Sequence, residues 1–204
     1  MMKIARLIVL FCCLLVGNAL AGHTPDPMII LQKVSTDMVA SLQKNRAELK
    51  KNPILVRQLV NKIVVPHAYL AGMSRAVLGR DAWTKATPAE RESFQKAFKD
   101  VVINTYEYAL NAYTNETIKF DPIRGGYEGK TMLSVQSYVI RSDGPPVSLS
   151  YNILLKEGQW LLFDLNVEGI SMLQSFRSQL ASQLASGKSV GQIAKDLEKH
   201  SGSR

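Results

Sequence analysis

The chain has 204 residues, enough for one ordinary domain and too few for a large multidomain enzyme. With 46% hydrophobic and 21% charged residues, it fits neither a disordered chain nor a polytopic membrane protein. Lys and Arg number 25 against 17 Asp and Glu, so the formal net charge is +8. This charge indicates contact with anionic partners without specifying which.

The first 21 residues are organised as a secretory signal peptide. Lys3 and Arg6 form a basic start, residues 7–16 are an uncharged apolar run, and residues 19–21 read Ala-Leu-Ala before Gly22, a cleavage pattern. The run has about half the ~20 residues that span a bilayer, so a permanent anchor is disfavoured. Cys12 and Cys13 both lie inside it, after the bulky Phe11 that disfavours lipidation.

Cleavage would remove 21 of the 204 residues, with Lys3 and Arg6 among them, and leave 183 residues with a formal charge of +6. We expect residues 22–204 to form a single domain. Because that domain has no cysteine, its stability must come from a buried core and not from disulfides. The remaining chain has no hydrophobic run near ~18 residues, so we expect it to be soluble after export.

Helical spacing of apolar residues predicts helices over 28–49 and 54–65 and a shorter helix over 67–78 that ends at Gly79. Basic residues gather at the end of the first helix: Lys44, Arg46, Lys50 and Lys51. We interpret this basic cluster as a solvated helix C-terminus, and docking to an anionic partner is the alternative.

The clearest helix start is Thr87-Pro88-Ala89-Glu90, which has the residues of a capping box with Pro in the first turn. From Phe94 to Tyr113, apolar and aromatic residues recur at steps of three and four, and Tyr106 is among them. This broad stripe requires a large apolar partner.

Alternation of apolar and polar residues predicts strands over 147–155 and 160–167, with weaker strands over 116–123 and 131–141. In the last strand the alternation places Leu161, Phe163, Leu165 and Val167 on one face. The glycine-containing segments between the strands suit antiparallel connections. With a helix over 170–185 and a final helix opened by Ser189, the expected fold is α+β: N-terminal helices, a four-stranded antiparallel meander sheet and C-terminal helices.

The sequence offers no clear catalytic or metal-binding constellation. Histidines occur at 23, 67 and 200, too far apart to suggest a metal site or a triad. We interpret Glu168, at the end of the last strand, as a salt bridge or helix cap involving Arg177, and acid catalysis is the alternative. Nucleic acid is not expected as a partner, because the longest basic run is two residues.

Two blocks of sequence resemble a known family. Residues 75–98 read RAVLGRDAWTKATPAERESFQKAF, with Thr105-Tyr106 after them, and residues 158–178 read GQWLLFDLNVEGISMLQSFRS. Both blocks resemble the MlaC family, the auxiliary substrate-binding proteins of the Mla phospholipid transport system, also called toluene-tolerance auxiliary proteins. The resemblance runs from about residue 28 to 199. Phe163 and Phe176 stand where many members have tyrosine.

The resemblance implies a periplasmic carrier and not an enzyme. We expect a monomer, since nothing in the sequence resembles a coiled coil. The resemblance also implies that the carrier moves a glycerophospholipid between an inner-membrane ABC transporter complex, with its substrate-binding subunit, and an outer-membrane lipoprotein–porin complex, which maintains outer-membrane lipid asymmetry. It implies no cofactor or metal, only phospholipid as cargo in a cavity that the helices and sheet enclose. Periodicity alone favours an ordinary filled core, so the cavity depends on the resemblance.

Residues that combine the helix stripe with the apolar strand face are expected to line that cavity: Tyr106, Leu149, Tyr151, Phe163, Val167 and Ile170. We expect Arg75 and Arg80 near its mouth or on a docking face. Two other functions stay open. One is an exported enzyme of nuclear-transport-factor-like fold with Glu168 or Asp164 as base, and the other is a structural periplasmic adaptor with a filled core.

Overall fold

The protein is α+β, as the sequence predicts. The computed structural model describes residues 24–49, 51–52, 54–113 and 115–202, so the expected signal peptide lies outside the described residues. Before the sheet come α1 (Pro27–Lys44), α2 (Arg46–Leu49), α3 (Ile54–Ile63), a 3-10 turn (Val65–His67), α4 (Leu70–Leu78), α5 (Arg80–Lys85) and α6 (Pro88–Asn111). The strands are β1 (Thr117–Phe120), β2 (Met132–Ile140), β3 (Val147–Lys156), β4 (Gln159–Val167) and β5 (Ile170–Ser171), and α7 (Met172–Ala185) and α8 (Val190–Gly202) follow them.

Local capping fixes the starts of the helices that the sequence marks most clearly. At α6, the Thr87 hydroxyl accepts a hydrogen bond from the Glu90 amide, and the Glu90 carboxylate accepts one from the Thr87 amide at 2.9 Å. Ser189 and Gln192 make the same reciprocal pair at α8. Each pair satisfies amides that have no partner inside the helix.

The first helix is shorter than predicted, because Asn45 interrupts it. The Asn45 side-chain amide donates to the Ser41 carbonyl at 2.8 Å, and its backbone amide donates to the same oxygen at 3.1 Å. This local bonding competes with the helical pattern. The chain therefore ends α1 at Lys44 and begins the one-turn α2 at Arg46.

The α4 helix begins at Leu70 and not at His67. Ala68 is extended, with φ −107° and ψ 135°, and bridges to Leu162 on the edge of β4. The Tyr69 amide donates to the Leu162 carbonyl at 2.9 Å. Pairing with the sheet thus holds these residues out of the helix, which ends at Gly79 with φ 78°, a conformation that glycine adopts without strain.

The sheet is an antiparallel meander in the order β1-β2-β3-β4-β5. The four predicted strands are confirmed, and a two-residue fifth strand joins them. Glu168 and Gly169 both have positive φ and form the tight turn that folds Ile170 back onto Val167. The predicted helix over 170–185 therefore begins at Met172.

A β-bulge in β4 overturns the predicted strand face. The register with β3 passes from Asn152 opposite Asp164 to Ile153 opposite Leu162, so Phe163 is the extra residue. Leu165 pairs with Tyr151, whereas Leu161 pairs with Leu154, the third residue after Tyr151. Because paired residues share a face and neighbours alternate, Leu161 lies on the opposite face from Leu165 and Val167.

The buried hydrophobic residues form three separate clusters. The helical cluster joins α4, α6, α7 and α8 around Phe94, Phe98, Phe176 and Ile193. The N-terminal cluster joins α1, α3 and α6 around Leu42, Val56, Val60 and Ile103. The sheet cluster contains Val135, Ile153 and Trp160, with Met28 and Leu31 of α1 packed against it. The apolar interior is thus divided into three parts.

Candidate functional site

One face of the sheet, here called the inner face, carries the side chains of Val147, Leu149 and Tyr151 from β3. Their register partners are Val139 on β2 and Val167 and Leu165 on β4, and Val139 in turn pairs with Ile118 on β1. Register partners share a face, so four strands contribute to this surface.

An apolar patch occupies part of the inner face. Its side chains are all aliphatic and all half-buried: Ile118, Val139, Val147, Leu149, Leu165 and Val167. Among the residues that the structure describes, none of the six belongs to a buried cluster or packs against one. A contiguous aliphatic surface that is neither in the core nor fully in water is typical of a ligand-binding surface.

The rest of the inner face is covered by α1 and carries a tyrosine. The Phe120 and Tyr151 rings lie 5.7 Å apart, and the Ser137 hydroxyl donates to the Tyr151 hydroxyl at 3.3 Å. Burial raises the pKa of Tyr151, against the opposing effect of hydrogen bonds with Ser137 and with Ser35 of α1. The phenol therefore stays protonated and ties the centre of the sheet to α1.

A groove of about 480 Å³ runs between α1 and β1. Its helical wall is a stripe at steps of three and four residues that is mainly polar and uncharged: Gln32, Ser35, Thr36, Val39 and Gln43. Residues 115–118 and Phe120 form the other wall. Because Ile118 belongs to the apolar patch, this α1–β1 groove is continuous with that patch and has hydroxyl and amide groups at its rim.

Side-chain bonds close one end of the groove. The Gln43 amide donates to the Tyr113 hydroxyl at 3.1 Å, and that hydroxyl donates to the Glu116 carbonyl at 3.0 Å. These bonds join the end of α1 to the segment between α6 and β1.

On the helical side, Tyr106 and Phe163 pack against the helical cluster. Burial raises the pKa of Tyr106, and the Asp164 carboxylate of β4 adds to the increase. At 100° per residue, Val102 and Tyr106 lie on the α6 stripe between Phe98, which faces the helical cluster, and Ile103, which faces the N-terminal cluster. That stripe is half-buried.

The predicted site residues thus fall into separate groups. Leu149, Tyr151 and Val167 share the inner face, and Tyr106 and Phe163 share the helical side. Ile170 is 66% exposed on β5. Arg75 and Arg80 are exposed on either side of the Gly79 turn, and neither is among the residues that line the α1–β1 groove.

Asp164 and Glu168 have structural partners. The buried Asp164 carboxylate accepts bonds from the Ser171 hydroxyl at 2.6 Å and the Leu173 amide at 3.1 Å, while the Ser171 hydroxyl caps α7 through the Gln174 amide. Glu168 accepts a bond from the Ser148 amide. Within the described residues Glu168 and Arg177 form no ion pair. The predicted cap to α7 is therefore wrong for Glu168, and Ser171 and Asp164 supply it.

Across the described ranges, no group of three or more His, Cys, Asp or Glu side chains is arranged to hold a metal ion. None of the described helices combines the length and the apolarity needed to cross a bilayer. A second open cleft, of about 330 Å³, includes Met132, Ser134, Asn152 and Phe163.

Sequence reasoning missed the α1–β1 groove. The stripe from Gln32 to Gln43 has helical spacing, and its residues are mainly uncharged and polar between apolar neighbours. This pattern could have indicated the groove from the sequence. The second wall depends on how β1 lies beside α1, which helical spacing does not encode.

Comparison with known proteins agrees with this architecture. The family described as "MlaC protein" matches residues 32–199. A toluene tolerance protein, ttg2D, of Pseudomonas putida is 29% identical over 164 residues, which cover 80% of this chain and 74% of that protein. The intermembrane phospholipid transport system binding protein MlaC of Haemophilus influenzae is 26% identical over 153 residues, 73% of this chain and 70% of that protein.

A solved structure has the same fold. It is a phospholipid-binding protein from Ralstonia solanacearum in complex with a phospholipid, and it superposes with a TM-score of 0.79 at 26% identity, over 87% of this chain and 97% of that one. Since the family match extends over most of the sequence, the chain belongs to the MlaC protein family.

Proposed function

We propose that this protein is a periplasmic carrier of glycerophospholipid. In this proposal it accepts and delivers lipid between an inner-membrane ABC transporter complex and an outer-membrane lipoprotein–porin complex, and so supports the lipid asymmetry of the outer membrane. Family membership, the signal-peptide pattern of residues 1–21 and the phospholipid bound by the related Ralstonia protein support it.

The observation that carries the proposal is the apolar patch. Its six aliphatic side chains are half-buried, yet they take no part in the three clusters that stabilise the fold. Contact with acyl chains would remove this surface from water. That burial would stabilise the complex by about 25 cal/mol per Å² of apolar area. We place the lipid tails on this patch, with Leu149, Val167 and Tyr151 as contacts and Tyr106 and Phe163 on the helical side.

Transfer energetics explain why such a patch suits a carrier. At about 0.8 kcal/mol per methylene, two acyl chains of some fifteen carbons would cost on the order of 20 kcal/mol in water. A protein surface as apolar as the bilayer makes exchange between membrane and protein nearly neutral. The carrier can then load and unload without tight binding on either side, and its partners supply the direction.

The α1–β1 groove suits the polar part of the lipid. Its rim of hydroxyl and amide side chains can hydrogen-bond the glycerol and phosphate oxygens, while Ile118 leads from the groove to the apolar patch. At about 480 Å³ the groove matches a drug-sized ligand. A diacyl phospholipid is larger, so the groove can hold only its polar part, and the acyl chains extend over the apolar patch.

Arg75 and Arg80 belong to a separate part of this proposal. Both are exposed at the α4–α5 corner, away from the lining of the groove. We assign them to contact with the membrane complexes and not to the cargo.

Mass spectrometry of an organic extract tests the cargo. The protein is purified from the cell envelope without detergent, and phospholipid is quantified against protein. The expected result is near-stoichiometric glycerophospholipid, and lipid-free protein would contradict the proposal. A filled-core adaptor and an enzyme for a small substrate would both give the second result.

A further inference from the structure

We propose that the surface around α2, the start of α3 and the end of α6 docks reversibly on an anionic phospholipid bilayer. This docking surface is defined by Ile54, Tyr108, Lys44, Arg46 and Lys51. Docking goes beyond carrying a lipid in solution, because it brings the protein itself onto a membrane.

Two large side chains are exposed on this surface. Ile54 is 61% exposed and Tyr108 is 84% exposed. They belong to α3 and α6, which lie side by side in the N-terminal cluster. Packing in the hydrophobic core does not account for the presence of either side chain.

The register between α3 and α6 places these two residues opposite one another. The Arg57 side chain donates to Asn104 and forms an ion pair with Glu107, Nε to Oε2, at 3.6 Å. One turn further along α3, Asn61 accepts from Lys99 at 3.0 Å. The helices are therefore antiparallel, and the same register, continued one turn before Arg57, brings Ile54 to Tyr108.

Basic residues border this apolar pair. Lys44, Arg46 and Lys51 are all exposed, and they lie at the end of α1, at the start of α2 and just before α3, which packs against α2. The acidic residues of the same region are Glu48, which is exposed, and Glu107, which is half-buried and already paired with Arg57. The docking surface therefore carries a net positive charge. This agrees with the basic cluster that the sequence shows at the end of the first helix.

This combination fits a membrane better than an acidic protein surface. A tyrosine that is almost wholly exposed and an exposed aliphatic side chain can enter the headgroup layer, while lysine and arginine stay at the level of the phosphates. The position of the docking surface also suits the loading of lipid into the groove. Lys44 follows Gln43, a groove residue bonded to Tyr113 at the end of α6, so a docked protein would have the groove beside the bilayer.

Vesicle co-sedimentation tests the proposal on the mature, lipid-loaded protein. Binding is measured to phosphatidylcholine vesicles and to vesicles that also contain phosphatidylglycerol, at ~0.05 M and ~0.5 M salt. The variants are a neutralised triple, Lys44→Gln with Arg46→Gln and Lys51→Gln, and a double, Ile54→Ser with Tyr108→Ser. The matched controls are Arg177→Gln with Lys195→Gln and Lys199→Gln, and Ile29→Ser with Met132→Ser, all at exposed positions elsewhere.

We expect binding only to the anionic vesicles, and weaker binding at the higher salt. Each basic side chain near an anionic surface contributes about a fivefold gain in partitioning, so the neutralised triple should bind about a hundredfold more weakly. The apolar double should also lose binding, whereas both controls should bind like the wild type.

Equal partitioning of the wild type onto both kinds of vesicle would overturn the proposal. So would a loss of binding in the control triple as large as in the neutralised triple. Attachment only to membranes that contain the transport complexes would assign the surface to a protein partner and overturn it as well. Lipid content is measured on the same samples, so failure of docking and failure of the carrier proposal are distinguishable.

Discussion

Leu149 and Val167 lie directly opposite one another on β3 and β4, on the inner face of the sheet. Both are half-buried, and within the described part of the chain neither packs against one of the three buried clusters. Side chains of this kind contribute little to the core. The apolar surface that they form is therefore explained by what it binds.

Leu149→Trp should displace the cargo. The indole would occupy space over the apolar patch that we assign to acyl chains, and the larger side chain should lower the free energy of unfolding by no more than about 1–3 kcal/mol. Protein purified from the cell envelope should then contain much less phospholipid per chain than the wild type.

Leu154→Trp is the matched control. Leu154 is on the same strand and is also half-buried, but it lies on the opposite face of the sheet. Its lipid content should equal that of the wild type. Equal loss of lipid in both variants, or no loss at position 149, would contradict the assignment of the inner face.

Elements fixed by neighbouring residues could be predicted from the sequence. The capping pair at Thr87 and Glu90 depends on residues three apart, and so does the pair at Ser189 and Gln192. Strand alternation is equally local, and it predicted the four strands β1 to β4. The Glu157–Gly158 turn lies in one of the glycine-containing segments that the sequence indicated as antiparallel connections.

Features that depend on distant contacts could not be predicted. The bulge at Phe163 appears only when β4 is set against β3, and it reverses the face of Leu161. Ala68 leaves the helical pattern because β4 supplies a partner 94 positions away in the sequence, at Leu162. For the same reason, the sequence predicted only part of the candidate site. Alternation predicted the strand residues, whereas the groove depends on the position of α1.

Asp164→Ala should destabilise the fold. It removes the acceptor of the Ser171 hydroxyl and the buried Leu173 amide, which should lower the free energy of unfolding by about 1–3 kcal/mol. Glu168→Gln keeps an oxygen that can accept from the Ser148 amide, so its effect should stay within about 0.5 kcal/mol. Urea denaturation measures both values, and equal destabilisation by the two changes would show that Asp164 has no special part in α7.

Phe98→Ala should be among the most damaging single changes. Phe98 is 1% exposed, with the Phe94 ring stacked at 5.8 Å and the Phe176 ring edge-on at 5.3 Å. Truncation should cost about 3–5 kcal/mol and lower the Tm by roughly 10 °C. Calorimetry checks it, with the exposed Lys96→Ala on the same helix as the control. A shift no larger than that of the control would contradict the packing described for the helical cluster.

Glu90 should make stability depend on pH in the acid range. Bonds from the Thr87 amide, then from the Thr87 hydroxyl, hold the pKa of Glu90 below its ordinary value of 4.5. The folded state thus favours the carboxylate, so this stabilisation is complete above pH 4.5 and is lost as pH falls through the lower folded-state pKa.

The advantage of the wild type over Glu90→Ala should therefore be constant near neutral pH and shrink in acid. Denaturation curves over a pH series measure the difference. Ser93→Ala, exposed on the same helix and without a titrating group, is the control and should differ from the wild type by a constant amount. A Glu90→Ala difference that grows as the pH falls would contradict the assigned bonds.

Photo-crosslinking from within the sheet tests the central claim most directly. A photoreactive diazirine amino acid of about the size of leucine is placed at position 149 or at position 154, the protein is irradiated in the cell envelope, and the intact mass is measured. We predict a covalent phospholipid adduct at position 149 and none at position 154. An adduct at position 154 without one at position 149 would contradict a lipid site on the inner face of the sheet.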